Sequence, residues 1–109
     1  MLERSVGVPS ELIEREEHIE QAARVIKAMA HPLRLKILCV LGDREHSVQD
    51  IVDSVGTSQS NISQHLAILR DKGVLRTRKD ANRVFYRIGD RRTLQLLGMM
   101  REVLCSSAH

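Results

Sequence analysis

Two short helix patterns, joined across a single glycine and followed by a strand-like segment, constrain the fold of this chain more than any other feature. The first pattern follows a capping serine, Ser47, and ends at Gly56; the second runs from Gln59 to about Asp71, with a glycine two residues later. Two short helices around a tight glycine-containing turn form a helix-turn-helix, placed at about residues 47–71. The predicted inward positions are Val48, Ile51, Val52 and Val55, then Ile62, Leu66 and Leu69.

The segment after the second helix has strand composition. Val74 to Ile88 is rich in Val, Thr, Phe, Tyr and Ile and is interrupted by Asp80-Ala81-Asn82, which predicts a two-stranded β-hairpin at about residues 74–88. Four cations flank or approach its tip: Arg76, Arg78, Lys79 and Arg83. A helix-turn-helix followed by a basic hairpin predicts a winged helix, a mainly α (α+β) fold of about five helices plus the wing.

Three further helices are predicted around this unit. The first follows a 3.6-residue apolar period after the cap Ser10, His31-Pro32 separates it from the second, and Asp90 caps the last. The predicted bounds are about residues 10–30, 33–41 and 91–105.

Length and composition favour one folded domain over residues 1–109. The chain is 42% apolar and 28% charged, as in ordinary globular proteins. We expect the acidic segment 1–17 to be partly flexible. No run reaches the roughly 18 apolar residues of a membrane span, and Met1 to Ser10 lacks a signal-peptide pattern, so a cytoplasmic protein with no membrane partner is expected.

The positive charge is concentrated in the second half of the chain. Residues 1–20 hold six acids against two bases, whereas the remaining 89 residues carry 15 bases against 8 acids. Within residues 61–92 the count is nine bases to three acids. Such clustering is typical of a phosphate-binding surface, with a merely solvated basic face as the alternative. Phe85 and Tyr86 are the only aromatic residues, which disfavours base stacking on single strands.

The outer face of the second helix of the helix-turn-helix is small and polar. Short side chains let a helix approach the DNA backbone, while amide and hydroxyl groups bond base edges in the major groove. Gln64 is the best candidate for contacting an adenine edge, and His65 fits either a phosphate contact or a structural role. The predicted DNA contacts on this helix are Ser58, Gln59, Ser60, Asn61, Ser63, Gln64 and His65.

The last helix has a wider apolar arc than one neighbour can cover. At 100° per residue its apolar side chains span about 220°, against the stripe of a little over 100° that a surface helix needs. The excess predicts that this helix, together with the first, forms a homodimer interface; full burial within one domain is the alternative. The arc comprises Leu94, Leu96, Leu97, Met99, Met100, Val103 and Leu104.

Three stretches closely resemble the ArsR/SmtB family of bacterial repressors: AMAHPLRLKIL at residues 28–38, SQSNISQHLAILR at 58–70 and RVFYRI at 83–88. The resemblance covers about residues 18–105. It implies a homodimer that binds double-stranded DNA at an imperfect inverted repeat in a promoter, as a repressor released by a small inducer.

The family's metal sites are not matched. Many members bind thiophilic metals through a Glu-Leu-Cys-Val-Cys-Asp-Leu box, but here residues 45–51 are EHSVQDI, with Ser47 and Gln49 in place of both thiolates. Other members use Asp and His on the last helices, and residues 91–105 contain neither. We therefore predict no metal site and no cofactor, and keep a metal-responsive repressor as an alternative.

Two cysteines remain as the candidate sensor. A small buried hydrophobe is the structural interpretation of Cys39, whereas Cys105 lies off the apolar arc near the chain end. Their placement resembles the thiol-switch branch of the family, which includes sulfide-responsive and biofilm-associated repressors. The resemblance implies that Cys39 and Cys105 form a redox-sensing pair modified by persulfide, polysulfide or another oxidant.

Other classes of function predict different behaviour. A winged-helix protein-interaction module would not bind promoter DNA through Gln64 or Arg83, and a nucleoid-coating protein would show little sequence preference. An enzyme is not predicted, because no nucleophile, base and oxyanion donors occur at recognisable spacing.

Overall fold

The computed structural model describes the backbone of residues 16–107 and the side chains of residues 16–103. The predicted cap Ser10 and residues 1–15 of the acidic segment lie outside this part, while Glu16 and Glu17 are in the first described helix. The elements in chain order are α1 (Glu16–Met29), α2 (Pro32–Leu41), β1 (His46–Ser47), α3 (Val48–Val55), α4 (Gln59–Asp71), β2 (Leu75–Asp80), β3 (Arg83–Ile88) and α5 (Arg91–Ser107).

Local capping residues account for the bounds of α3 and α4. The Ser47 hydroxyl accepts a hydrogen bond from the Asp50 amide at 3.2 Å, and the Asp50 carboxylate accepts one from the Ser47 amide, which forms a capping box. Gly56 ends α3 in the left-handed region at φ 85°, where glycine is favoured. Ser58 then caps α4. The predicted helix-turn-helix is confirmed.

The helices directly before and after this unit also begin at or next to the predicted residues. Nδ1 of His31 accepts a hydrogen bond from the Leu33 amide at 3.1 Å, with Pro32 in the first turn of α2. Asp90 accepts a hydrogen bond from the amide of Arg92 at 2.9 Å at the start of α5. That helix continues to Ser107, two residues beyond its predicted end.

The predicted two-stranded hairpin is present as β2 and β3, and the short strand β1, which we did not predict, extends it to a three-stranded antiparallel sheet. The strand order is β1-β3-β2, and His46 and Ser47 of β1 pair with Tyr86 and Phe85 of β3. A two-residue strand leaves no alternating side-chain pattern, so sequence periodicity could not detect it. The hairpin turn is also shorter than predicted, because Asp80 pairs with Arg83 inside the ladder.

One hydrophobic core joins the helices to the wing. The inward residues of α4, Ile62, Leu66 and Leu69, are fully buried, as predicted. Around them pack apolar residues from α1, α2, α3, the wing and α5. The same core therefore supports α4 from behind and fixes the root of the wing, where Leu75 pairs with Ile88.

Within residues 16–107 no helix is long and apolar enough to cross a membrane.

Candidate nucleic-acid interface

The outer face of α4 carries a set of exposed polar side chains. Gln59, Ser60, Ser63 and Gln64 are exposed and together line one shallow depression on the surface. Ser60 and Gln64 lie opposite the buried face of the helix, with Gln59 and Ser63 at the side, so the core holds the helix while leaving this surface open. Short hydroxyl and amide groups on an exposed helix face can approach and bond the edges of base pairs.

Two other predicted contact residues build the start of the helix. The Ser58 hydroxyl accepts a hydrogen bond from the Asn61 amide at 3.1 Å, and the Asn61 side-chain amide donates one to the Thr57 hydroxyl at 3.2 Å. Ser58 is exposed and Asn61 is half-buried. Both side chains therefore satisfy polar groups of the α4 N-terminus in the DNA-free structure.

His65 faces α2 rather than the centre of the polar face. Its ring centroid lies 4.6 Å from that of His31, and its Nδ1 lies 3.3 Å from a guanidinium nitrogen of Arg34. Arg34 also donates a hydrogen bond to the backbone carbonyl of Ala28, which ties the end of α1 to this group. Partial burial lowers the pKa of His65 from its ordinary value, and the charges of His31 and Arg34 lower it further.

The wing separates its cations onto two faces. Because Arg76 pairs with Arg87 and Asp80 with Arg83, alternation along the strands places Arg76, Arg78, Arg83 and Arg87 on one face. Lys79 lies on the other face, opposite Val84. Arg87 is exposed and was not among the predicted contacts; only the antiparallel register, which pairs it with Arg76, identifies it as part of this basic face.

Arg78 is the most constrained of the wing cations. Its Nε and one terminal nitrogen donate hydrogen bonds to the two carboxylate oxygens of Glu45 at 2.9 and 2.8 Å. The guanidinium carbon also lies 4.9 Å from the Phe85 ring centroid, and that of Arg83 lies 5.2 Å from the same centroid. The hydrogen bonds from Arg78 lower the pKa of Glu45, while Glu45 raises the pKa of Arg78.

The two cysteines lie on α2 and α5. Cys39 is exposed, which does not fit the alternative of a small buried hydrophobe. A guanidinium nitrogen of Arg101 donates a hydrogen bond to the Cys39 backbone carbonyl at 3.3 Å, so α5 contacts α2 at this residue. The backbone of Cys105 is helical in α5, and its side chain lies outside the described residues.

The apolar arc of α5 is partly covered and partly open. Leu97 is buried in the core, whereas Met99 is 63% exposed. On α1, Ile19 and Ile26 are also exposed, at 42% and 55%. In this single chain, the two helices predicted to form a dimer interface thus keep large apolar side chains in contact with solvent.

Among residues 16–103, no group of three or more His, Cys, Asp or Glu side chains is arranged to hold a metal ion.

Comparison with known proteins assigns these features to one family. Residues 31–77 match the family described as bacterial regulatory protein, arsR family. The transcriptional activator HlyU of Vibrio cholerae is 39% identical over 101 residues, which cover 93% of this chain and 94% of that protein. The biofilm growth-associated repressor of Xylella fastidiosa is 31% identical over 91 residues, covering 84% of this chain and 80% of that protein.

Solved structures show the same architecture. Reduced HlyU from Vibrio cholerae aligns with a TM-score of 0.77 at 39% identity, covering 84% of this chain and 97% of that one. The transcriptional repressor BigR from Xylella fastidiosa aligns with a TM-score of 0.78 at 30% identity, covering 90% and 98%. These relatives are regulators of transcription. The chain belongs to the ArsR family of bacterial DNA-binding transcriptional regulators, with a winged helix-turn-helix fold.

Proposed function

We propose that this chain is a homodimeric repressor that inserts α4 into the major groove of an operator and is released when Cys39 and Cys105 react with a persulfide or another oxidant. The observation that carries the DNA-binding part is the exposed polar face of α4, which lies away from its buried face. Gln64 contacts a base edge, with Gln59, Ser60 and Ser63 beside it. Ser58 and Asn61 hold the start of the helix, and His65 borders this face on the side of α2.

The wing supplies contacts to the DNA backbone in this proposal. Arg76, Arg78, Arg83 and Arg87 share one face, and Lys79 extends the basic surface on the other. Contacts of this kind fix orientation and strengthen binding without reading sequence. Repression follows if the bound protein blocks access to a promoter, which is consistent with the name of the Xylella relative.

The proposed dimer buries the open apolar surfaces of α1 and α5. Exposed Ile26 and Met99 lie on the helices that the apolar arc already marked as an interface. A two-fold dimer presents two copies of α4, which bind half-sites about one helical turn of DNA apart. This geometry requires an inverted-repeat operator.

The position of Arg101 supports the cysteine pair as a sensor. Arg101 contacts the backbone of Cys39, and Cys105 follows it by four residues, one helical turn and about 6 Å further along α5. Residues four apart lie on the same helix face. The exposed Cys39 thiol is accessible to a small reagent.

The proposed chemistry uses a low-molecular-weight persulfide. Each cysteine thiolate attacks the outer sulfur of one persulfide and becomes a cysteine persulfide, releasing the carrier thiolate. The outer sulfur of one cysteine persulfide then attacks the inner sulfur of the other, forming a trisulfide bridge and expelling hydrosulfide. A direct disulfide would require Cα atoms within about 7 Å, so an inserted sulfur widens the range of spacings that can be bridged.

Operator binding tests the DNA-contact assignment. The probe is a labelled duplex of about 30 base pairs that the wild-type protein selects from a random pool, long enough for two half-sites. Gln64→Ala and Arg83→Ala should each weaken binding, by about 5-fold to 100-fold for the base contact. A scrambled duplex is the control. Unchanged affinity in both variants would favour a protein-interaction module.

The sensor is tested with the same duplex. Reduced protein, protein treated with glutathione persulfide and protein treated with hydrogen peroxide are compared, followed by mass spectrometry of the Cys39–Cys105 peptides. Persulfide should release the DNA and add a trisulfide, while Cys39→Ser and Cys105→Ser should stay bound. Release that survives both substitutions would end the thiol-switch assignment. Release by stoichiometric zinc, cadmium or arsenite would favour a metal-responsive repressor.

A further inference from the structure

The shortest ion pair described on the wing joins two residues that are 33 positions apart. Arg78 of β2 donates two nearly parallel hydrogen bonds, at 2.8 and 2.9 Å, to the carboxylate of Glu45, which directly precedes β1. A third guanidinium nitrogen lies 3.8 Å from a carboxylate oxygen of Asp80. In the DNA-free chain the charge of Arg78 is therefore balanced by carboxylates, while its neighbours on the same face, Arg76 and Arg83, extend from exposed positions.

The atoms that bind Glu45 are the ones that would bind DNA. A guanidinium presents the same two-pronged set of donors to a carboxylate and to the paired oxygens of a phosphate. The edge formed by Nε and one terminal nitrogen of Arg78 cannot bind the Glu45 carboxylate and a phosphate at the same time. A phosphate of the DNA backbone that binds this edge of Arg78 must therefore displace Glu45, while the other edge of the guanidinium faces Asp80.

The exchange is easy because the pair is open to solvent. The side chains of Arg78 and Glu45 are 51% and 32% exposed, and exposed ion pairs contribute little to stability. The Phe85 ring lies 4.9 Å from the guanidinium carbon and gives Arg78 a second contact on the basic face besides its carboxylate partner.

We propose that Glu45 competes within the chain with DNA phosphate for Arg78. It occupies the guanidinium edge that would bind a phosphate and thereby limits the affinity of the wing for DNA. This inference rests on the proposed DNA-binding function and assigns to it a residue outside both the recognition helix and the wing. Its consequence is a weaker operator complex than the full set of wing cations would give.

Competition makes a prediction that is opposite to that of a purely supporting ion pair. If Glu45 only held the wing in place, its loss would weaken DNA binding. Because it competes with phosphate, Glu45→Gln should tighten binding to the selected duplex about 3-fold to 10-fold at about 0.1 M salt. The plot of log affinity against log salt should also steepen by about 1.8 for the proposed dimer, the value of one additional phosphate contact in each protomer.

A double-substitution comparison separates this effect from a general gain of positive charge. In an Arg78→Ala background, Glu45→Gln should change affinity by less than about 2-fold, because the competed-for group is gone. Asp43→Asn removes a carboxylate two residues away and is the matched charge control, expected to give a smaller gain and no change in slope. Circular dichroism and urea unfolding confirm that each variant is folded.

Two results would overturn the inference. One is an equal gain from Glu45→Gln with and without Arg78, and the other is weaker binding by Glu45→Gln alone. The DNA-binding function fails separately, when Gln64→Ala and Arg83→Ala leave the affinity of the otherwise wild-type protein unchanged.

Discussion

The guanidinium of Arg101 donates a hydrogen bond to the backbone carbonyl of Cys39 at 3.3 Å, which joins the last helix to the second one at a candidate sensor residue. The two residues are 62 positions apart in the chain. The contact brings α2 next to the turn of α5 that precedes Cys105.

Arg101→Ala should slow closure of the proposed bridge without unfolding the protein. The contact is exposed, so its loss should cost about 0–1 kcal/mol and slow bridging up to about 5-fold. Mass spectrometry of samples quenched at intervals after glutathione persulfide measures the rate. Arg91→Ala, an exposed substitution at the other end of α5, is the control and should bridge at the wild-type rate. Equal rates in both variants would mean that Arg101 does not set the spacing.

Met99→Glu should convert the proposed dimer to a monomer. Met99 is 63% exposed in the single chain, and burying a carboxylate at an apolar interface without a partner is costly. The dimer dissociation constant should rise at least about 100-fold, and operator affinity should fall with it. Analytical ultracentrifugation measures the mass. Ile68→Glu places the same charge on α4, where the side chain is 38% exposed, and should leave the mass unchanged.

Stability should fall in mildly acidic solution through His65. Burial, with the charges of His31 and Arg34, holds the pKa of His65 below 6.5 in the folded protein. As the pH falls below 6.5, the unfolded chain binds a proton that the folded chain does not, so the free energy of unfolding decreases until the pH passes the lowered folded-state pKa.

Urea unfolding of wild type and His65→Gln, at neutral pH and at about pH 5, measures this contribution. The substitution should make stability less dependent on pH across that interval. His18→Gln on the exposed surface of α1 is the control. A pH dependence that is identical in wild type and His65→Gln would contradict the assignment.

Ile62→Ala should destabilise the fold, because it removes packing from the buried face of α4. Ile62 is fully buried, and truncating such a residue to alanine removes about 2–5 kcal/mol. Ile68→Ala, on the same helix but 38% exposed, should cost less than about 1 kcal/mol. Urea unfolding measures both, and similar losses would show that the two sides of α4 are equally packed.

The sequence was most informative where structure depends on neighbouring residues. Ser47, Gly56 and Ser58 act within one turn of their own helices, so their capping roles and the bounds of α3 and α4 could be predicted from spacing. The inward positions of α4 followed from the 3.6-residue period for the same reason.

Features that depend on pairing between distant parts of the chain could not be predicted from the sequence. The bond between Glu45 and Arg78, the membership of Arg87 in the basic face and the short strand β1 all depend on strand register, which residue composition does not reveal. The exposure of Cys39 likewise depends on α2 packing through other faces, where its neighbours Leu38 and Leu41 are buried.

Ser47 links two parts of the molecule that are usually described separately. It caps α3, it is 5% exposed, and it pairs with Phe85 of the wing strand β3. A rotation of the helix-turn-helix must therefore carry the wing with it, because the two parts share Ser47 and move as one rigid unit. Deformation inside this unit is therefore a poor way for an inducer to act. In the dimer proposed above, a signal would instead change the angle between the two protomers, through the helices α1 and α5 that are proposed to hold them together.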